Sequence, residues 1–181
     1  GYALHTDYAV VPHHLCVALP DNVSFEQGTY AMLLATAMQT LRRGQPEFGE
    51  YICSVGLGIV GLLTARLYQL AGNYVIGWDN NLARVVIAQN WGVEAVDEKD
   101  GVRATSLFTH GDGLDAAVLA IAGACDDTVD RLMKCMKRAP DGHPMGRIMI
   151  VGWPQFTFGS KSLIGGMNNI DIRRCSRTGA G

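Results

Sequence analysis

The sequence predicts an α/β fold, a doubly wound parallel sheet of six strands with helices on both faces. Three observations carry this. From Tyr51 onward, short apolar runs alternate with helical stretches, the pattern that crossover connections produce. Runs such as "AAVLAI" and "RIMIVG" are apolar nearly throughout, as strands buried on both faces must be. At 181 residues, 48% hydrophobic and 18% charged, the chain has the size and balance of one globular domain.

The elements follow in order. In "DYAVVPHHLCVALP" two apolar runs, Tyr8–Val11 and Leu15–Leu19, flank Pro12 and predict strand, turn, strand. Ser24 and Gln27 have capping-box spacing, Gly44 suits a helix stop, and Arg42 and Arg43 suit a helix's negative end. A helix over Phe25–Arg43 is expected. Tyr51–Val55 is a strand, Ile59–Ala71 a helix ending at Gly72, and Tyr74–Trp78 a strand. Leu82–Trp91 is a helix stopped by Gly92, and Val93–Val96 the next strand. Val102–Thr109 is read as a short helix, Ala116–Ile121 as a strand, and Asp126–Lys137 as a helix with Asp126 or Asp127 at its positive end. The loop "APDGHPMG" leads into strand Arg147–Gly152. "QFTFGSKSLIGG" is loop or a helical turn, and Asn169–Arg174 alternates like a half-exposed edge strand.

Composition narrows the function classes. A net charge of -2 and a pI near 6.2 give no basic stripe for nucleic acid. Five cysteines, widely spaced and without a CxxC pair, indicate neither a disulfide framework nor a zinc knuckle. No apolar run reaches the about 18 residues of a membrane span, and "GYALHTDYAVV" lacks the organisation of a signal peptide. A cytoplasmic location is expected, for a protein or a piece of one.

In "YICSVGLGIVGLLTARLYQLAGNYVIGWD", Gly56, Gly58 and Gly61 follow a predicted strand and open a predicted helix, the context that a dinucleotide-binding fingerprint requires. Gly56 makes the tight turn, Gly58 lets backbone approach a pyrophosphate, and Gly61 lets helix and strand pack closely. The first helical N–H groups, near Ile59 and Val60, favour an anion. Asp79 ends the next strand, 18 residues beyond Gly61. A carboxylate there accepts from both hydroxyls of an adenosine ribose and repels a 2′-phosphate, which favours NAD over NADP. Leu57, inside the glycine turn, and Asn80, beside the acid, complete this Rossmann cofactor set. The blander reading makes the glycines a mere tight turn and Asp79 a solvated loop residue. A methyltransferase would more typically show GxGxG than "GLGIVG".

The chain resembles the medium-chain dehydrogenase/reductase superfamily, that of alcohol, sorbitol and threonine dehydrogenases. The likeness rests on "DYAVVP…LPDNVSFEQG", "TLRRG", "GEYICSVGLGIVGLLTARLYQLAG", the stretch with Asp79 and Arg84, "NWGVEAV", "LDAAVLAIAG" and "GRIMIVGW" in that order. It implies a place for Thr36 near the nicotinamide, for Arg84 close to the adenosine ribose, and for Ile121, Val151, Gly152 and Trp153 along the nicotinamide side. It also implies that residues 1–24 are a remnant of a chaperonin-like catalytic domain and residues 25–181 the NAD(P)-binding Rossmann domain. Where zinc-dependent relatives place a Cys or Glu ligand this sequence has Met32, and a thioether is a poor zinc ligand. No metal is therefore expected, and no catalytic residue is assigned.

The expected function is NAD(H) binding for hydride transfer between nicotinamide and an alcohol or carbonyl substrate. The alternatives are a non-catalytic nucleotide-binding module for redox sensing or assembly, and a methyltransferase-like adenosine binder. The edge strand at 169–174 predicts a homodimer. His13 and His14 in an extended segment would point apart; His5, His110 and His143 fall in loops. Cys53 reads as a buried strand residue. Cys125 stands at a helix start, where the positive pole lowers a thiol pKa, but no histidine is placed to serve it. Asp126, Asp127 and Asp130 read as caps and surface charges.

Overall fold

A computed structural model describes residues 6–157 and 169–175. The chain divides into two compact units, Gly1–Ala31 and Met32–Gly181.

In the first unit the expected strand pair is absent from the described residues. Residues 13–15 form a single 3-10 turn after Pro12, closed by the Leu15 N–H on the Pro12 carbonyl at 2.9 Å. Tyr8, Val10 and Val17 are more than 90% exposed, so the apolar residues that suggested strands have no facing sheet to bury them. A lone two-stranded hairpin is marginal in water. The capping box does form: Gln27 N–H donates to Ser24 Oγ at 3.1 Å and Ser24 N–H to Gln27 Oε1 at 2.9 Å. The helix it starts, α1 (Phe25–Gly28), is short. The expected continuous helix is interrupted at Thr29 and Tyr30, and α2 runs over Ala31–Gly44. Gly28 is a weak helix former, and the Thr29 hydroxyl donates back to the Glu26 carbonyl at 2.6 Å, a local bond that competes with helix continuation.

The second unit holds the sheet. Its strands are β1 (Tyr51–Val55), β2 (Tyr74–Asp79), β3 (Glu94–Asp97), β4 (Ala116–Leu119), β6 (Met145–Ile150) and β8 (Asn169–Arg174). All neighbours pair parallel, in the order β3-β2-β1-β4-β6-β8. The connecting helices are α3 (Ile59–Leu70), α4 (Leu82–Asn90), α5 (Gly101–Phe108) and α6 (Asp126–Cys135). Alternate strand residues face opposite layers. Ile52, Val75, Ala116 and Val118 pack with Leu62, Ala65 and Tyr68 of α3 and Val85 and Ala88 of α4. Cys53, Val55, Ile76, Trp78 and Leu119 pack with Val129, Leu132 and Met133 of α6, and with Val102 and Phe108 of α5.

Strands β4 and β6 end earlier than the apolar runs suggested. Beyond them the chain pairs again as a separate small sheet, β5 (Ala122–Ala124) with β7 (Trp153–Gln155). The Val151 and Gly152 N–H groups both turn onto the Leu119 carbonyl, at 3.1 and 3.0 Å, and the Trp153 N–H takes the Ile121 carbonyl at 2.9 Å. Most of "QFTFGSKSLIGG" lies outside the described residues.

Candidate cofactor site

Strand order reverses between β1 and β4, and such a switch point is where open α/β sheets bind ligands. The glycine turn leaves β1 there. Gly56 has φ +88, a left-handed conformation that glycine accepts without strain. A Cβ on it would lie 2.6 Å from Ile121 Cγ2 and 2.8 Å from the Ala120 carbonyl. Its N–H donates to the Trp78 carbonyl at 2.7 Å. Gly61 meets a harder limit, because a Cβ there would overlap the Gly56 carbonyl oxygen. These two glycines let α3 sit against the turn.

Gly58 differs. Its backbone, φ -66 and ψ -176, is extended, and a Cβ would meet nothing within 4 Å. It faces open space at the start of α3, a helix with no side-chain cap and no acid in its first turn. The free N–H groups and the dipole together make a place for an anion.

Asp79 closes the arrangement and is 4% exposed, which rules out a solvated loop residue. Its Oδ2 accepts from the Leu57 N–H at 2.7 Å and its Oδ1 from the Asn81 N–H at 2.8 Å. Arg84 reaches Oδ2 at 3.6 Å with a side chain 52% exposed. A carboxylate offers about four acceptor positions, so two N–H bonds leave capacity for two hydroxyls. Gly56, Gly58, Asp79, Asn80, Arg84 and Ile121 line one cleft of about 410 Å³. The residues present therefore fit a dinucleotide.

No protein-family model matches the chain. A provisionally named D-xylulose reductase of Agrobacterium fabrum (strain C58) is 30% identical over 154 residues, covering 82% of this chain and 41% of that protein. The chain belongs to the medium-chain dehydrogenase/reductase superfamily. Sorbitol dehydrogenase of Arabidopsis thaliana is 27% identical over 124 residues, 67% of this chain and 32% of that one. The superfamily chain thus spans roughly two fifths or less of the curated relatives that it matches. An Escherichia coli oxidoreductase/dehydrogenase of unknown specificity has the same fold, with TM-score 0.71 and 24% identity over 86% of this chain and 44% of that one. So does 2R,3R-butanediol dehydrogenase from Bacillus subtilis, with TM-score 0.70 and 20% identity over the same shares.

The other expected site residues of this superfamily member are placed as follows. Leu57 is buried beneath Gly77, and its N–H is occupied by Asp79. Ile59 and Val60 form the first turn of α3. Gly152 and Trp153 line a second hollow of about 390 Å³ with Phe156, Ile172 and Arg174, the Arg174 guanidinium lying 5.0 Å from the Trp153 ring. Val151 precedes them, partly buried. Thr36 lies on α2, its hydroxyl donating to the Met32 carbonyl at 2.9 Å, and it lines neither hollow.

Sequence reasoning missed part of the cleft wall: Glu98, Ala122, Ala124, Cys125 and Thr128. Glu98 alone carried a signal, as an acid directly after β3 on the same sheet edge as Gly56 and Asp79. Two further expectations are corrected. Cys125 has its thiol pKa raised, not lowered, by burial first and the neighbouring Asp126 second. His13 and His14 occupy a turn and not an extended segment. Among the described residues no group of three or more His, Cys, Asp or Glu side chains could hold a metal, and no helix is long and apolar enough to cross a membrane.

Proposed function

We propose that this chain is the NAD(H)-binding part of an oxidoreductase that moves hydride between nicotinamide and an alcohol or carbonyl substrate. The observation that carries the reading is Asp79, held by the Leu57 and Asn81 N–H groups at the mouth of the same cleft as the open Gly58. Bound NAD would supply the hydride chemistry, and the protein binds and orients it. The uncapped start of α3 takes the pyrophosphate, and Asp79 takes the ribose hydroxyls and disfavours a 2′-phosphate. Arg84 balances the buried carboxylate from the solvent side. The names of the relatives, a sorbitol dehydrogenase and D-xylulose reductases, support a polyol or its ketone as the substrate class.

Calorimetric titration of the 181-residue chain with NADH, NADPH and S-adenosylmethionine tests the reading. Preference for NADH supports it. Preference for the methionine compound, or no nucleotide binding, overturns it. Turnover of alcohols by this chain alone is expected to be negligible. Strand β8 pairs only with β6 among the described residues, and an open edge favours a second copy. A homodimer mass is expected in light scattering, and a monomer at all concentrations contradicts it.

A further inference from the structure

Glu98 has no part in the fingerprint, yet it lines the cleft with Asp79. It directly follows Asp97, the register partner of Asp79 across β2 and β3, so it sits about one strand spacing of 4.8 Å farther from the glycine turn. Its side chain is 16% exposed and held by α6. Arg131 donates to Oε1 at 2.7 Å, and the Thr128 hydroxyl donates to the same oxygen. Arg131 also donates to the Glu98 backbone carbonyl at 3.4 Å. Both side-chain bonds converge on one oxygen. Oε2 has no hydrogen-bond partner among the described residues.

A dinucleotide with its pyrophosphate at β1 and its ribose at β2 carries its base onward to the end of β3. There it meets Oε2 of a carboxylate whose other oxygen is already held by Arg131 and Thr128, an acceptor for a donor on the base. Resting on the NAD reading above, we infer that Glu98 reads the base: Oε2 accepts from the exocyclic amine of adenine, so the site selects adenine over hypoxanthine, which has a carbonyl at that position. Two like acceptors facing each other leave both unpaired, and discrimination of this kind is large when a site is built to bond a group that the analogue lacks.

The test compares NADH with reduced nicotinamide hypoxanthine dinucleotide by calorimetry on the full chain. Wild type is expected to bind NADH at least about tenfold more tightly. In Glu98→Gln, Arg131 and Thr128 still claim the amide oxygen, which turns the amide NH2 toward the cleft. That donor complements hypoxanthine and opposes adenine, so the preference is expected to vanish or reverse. Equal wild-type affinities with both nucleotides bound overturn this inference and leave the NAD reading standing, a result that does not depend on how the variant folds. An unchanged ratio in folded Glu98→Gln overturns it as well. Failure of both nucleotides to bind overturns the NAD reading and this inference together.

Discussion

Asp79→Ser separates the backbone tether seen at one carboxylate from the ribose contact proposed for it. In the native chain Asp79 accepts the Leu57 and Asn81 N–H groups, and Arg84 approaches it at 3.6 Å. Serine is too short to reach both amides and carries no charge. Two ribose hydroxyls lose a charged acceptor; at the lower figure of about 1.5 kcal/mol each, this is about 3 kcal/mol, or roughly a hundredfold in Kd for NADH. NADPH gains, because the anion that repels its 2′-phosphate is gone and Arg84 is released toward it. The NADH preference over NADPH should therefore fall by at least about a hundredfold. The tether is also lost, and an unpaired buried N–H costs about 1–3 kcal/mol, several degrees in Tm for a chain of this size. Asp79→Asn, which keeps an acceptor for Leu57, should lose less stability while still admitting NADPH. The assay is paired calorimetry and thermal melting. An unchanged cofactor ratio in a folded Asp79→Ser protein would mean that Asp79 does not select the cofactor.

Other outcomes follow from the same geometry. Gly61→Ala forces a Cβ into the Gly56 carbonyl and should destabilise by about 3 kcal/mol or more in denaturant unfolding. Gly58→Ala meets no atom within 4 Å, so as a change at the α3 N-cap it should cost about 1 kcal/mol or less yet weaken NADH binding at least about tenfold. Equal effects on stability would contradict the division of labour between the two glycines. Alkaline pH should destabilise the chain. Burial pushes the Cys135 thiol from the ordinary 9.0 up to about 11, and burial also holds Cys53 well above its ordinary value. The unfolded chain loses these protons first, so stability should be level below about pH 9 and fall as pH rises toward about 11. Urea midpoints at pH 8, 9 and 10 check the sign, and a midpoint that rises with pH contradicts it.

The sheet was legible because its inner strands β1, β2 and β4 are short and largely apolar, while the edge strand β8 alternates. Both the glycine turn and Asp79 were legible because their spacing is local. The strands expected before residue 20 failed for a different reason. A strand is stable only with a partner, and Tyr8, Val10 and Val17 remain exposed despite a convincing pattern. The break after α1 turned on a single Thr29 hydroxyl bond and one glycine, too small a bias to outweigh an amphipathic run on paper. Glu98 was hidden among three acids in "VDEKD". Only the bonds from Thr128 and Arg131, some thirty residues away in sequence, distinguish it from its neighbours.

Crystals grown with NADH give the most direct test. Density is expected for the diphosphate against the first N–H groups of α3, with both ribose hydroxyls on Asp79. Well-ordered nucleotide elsewhere, or an empty crevice at saturating NADH, would contradict it.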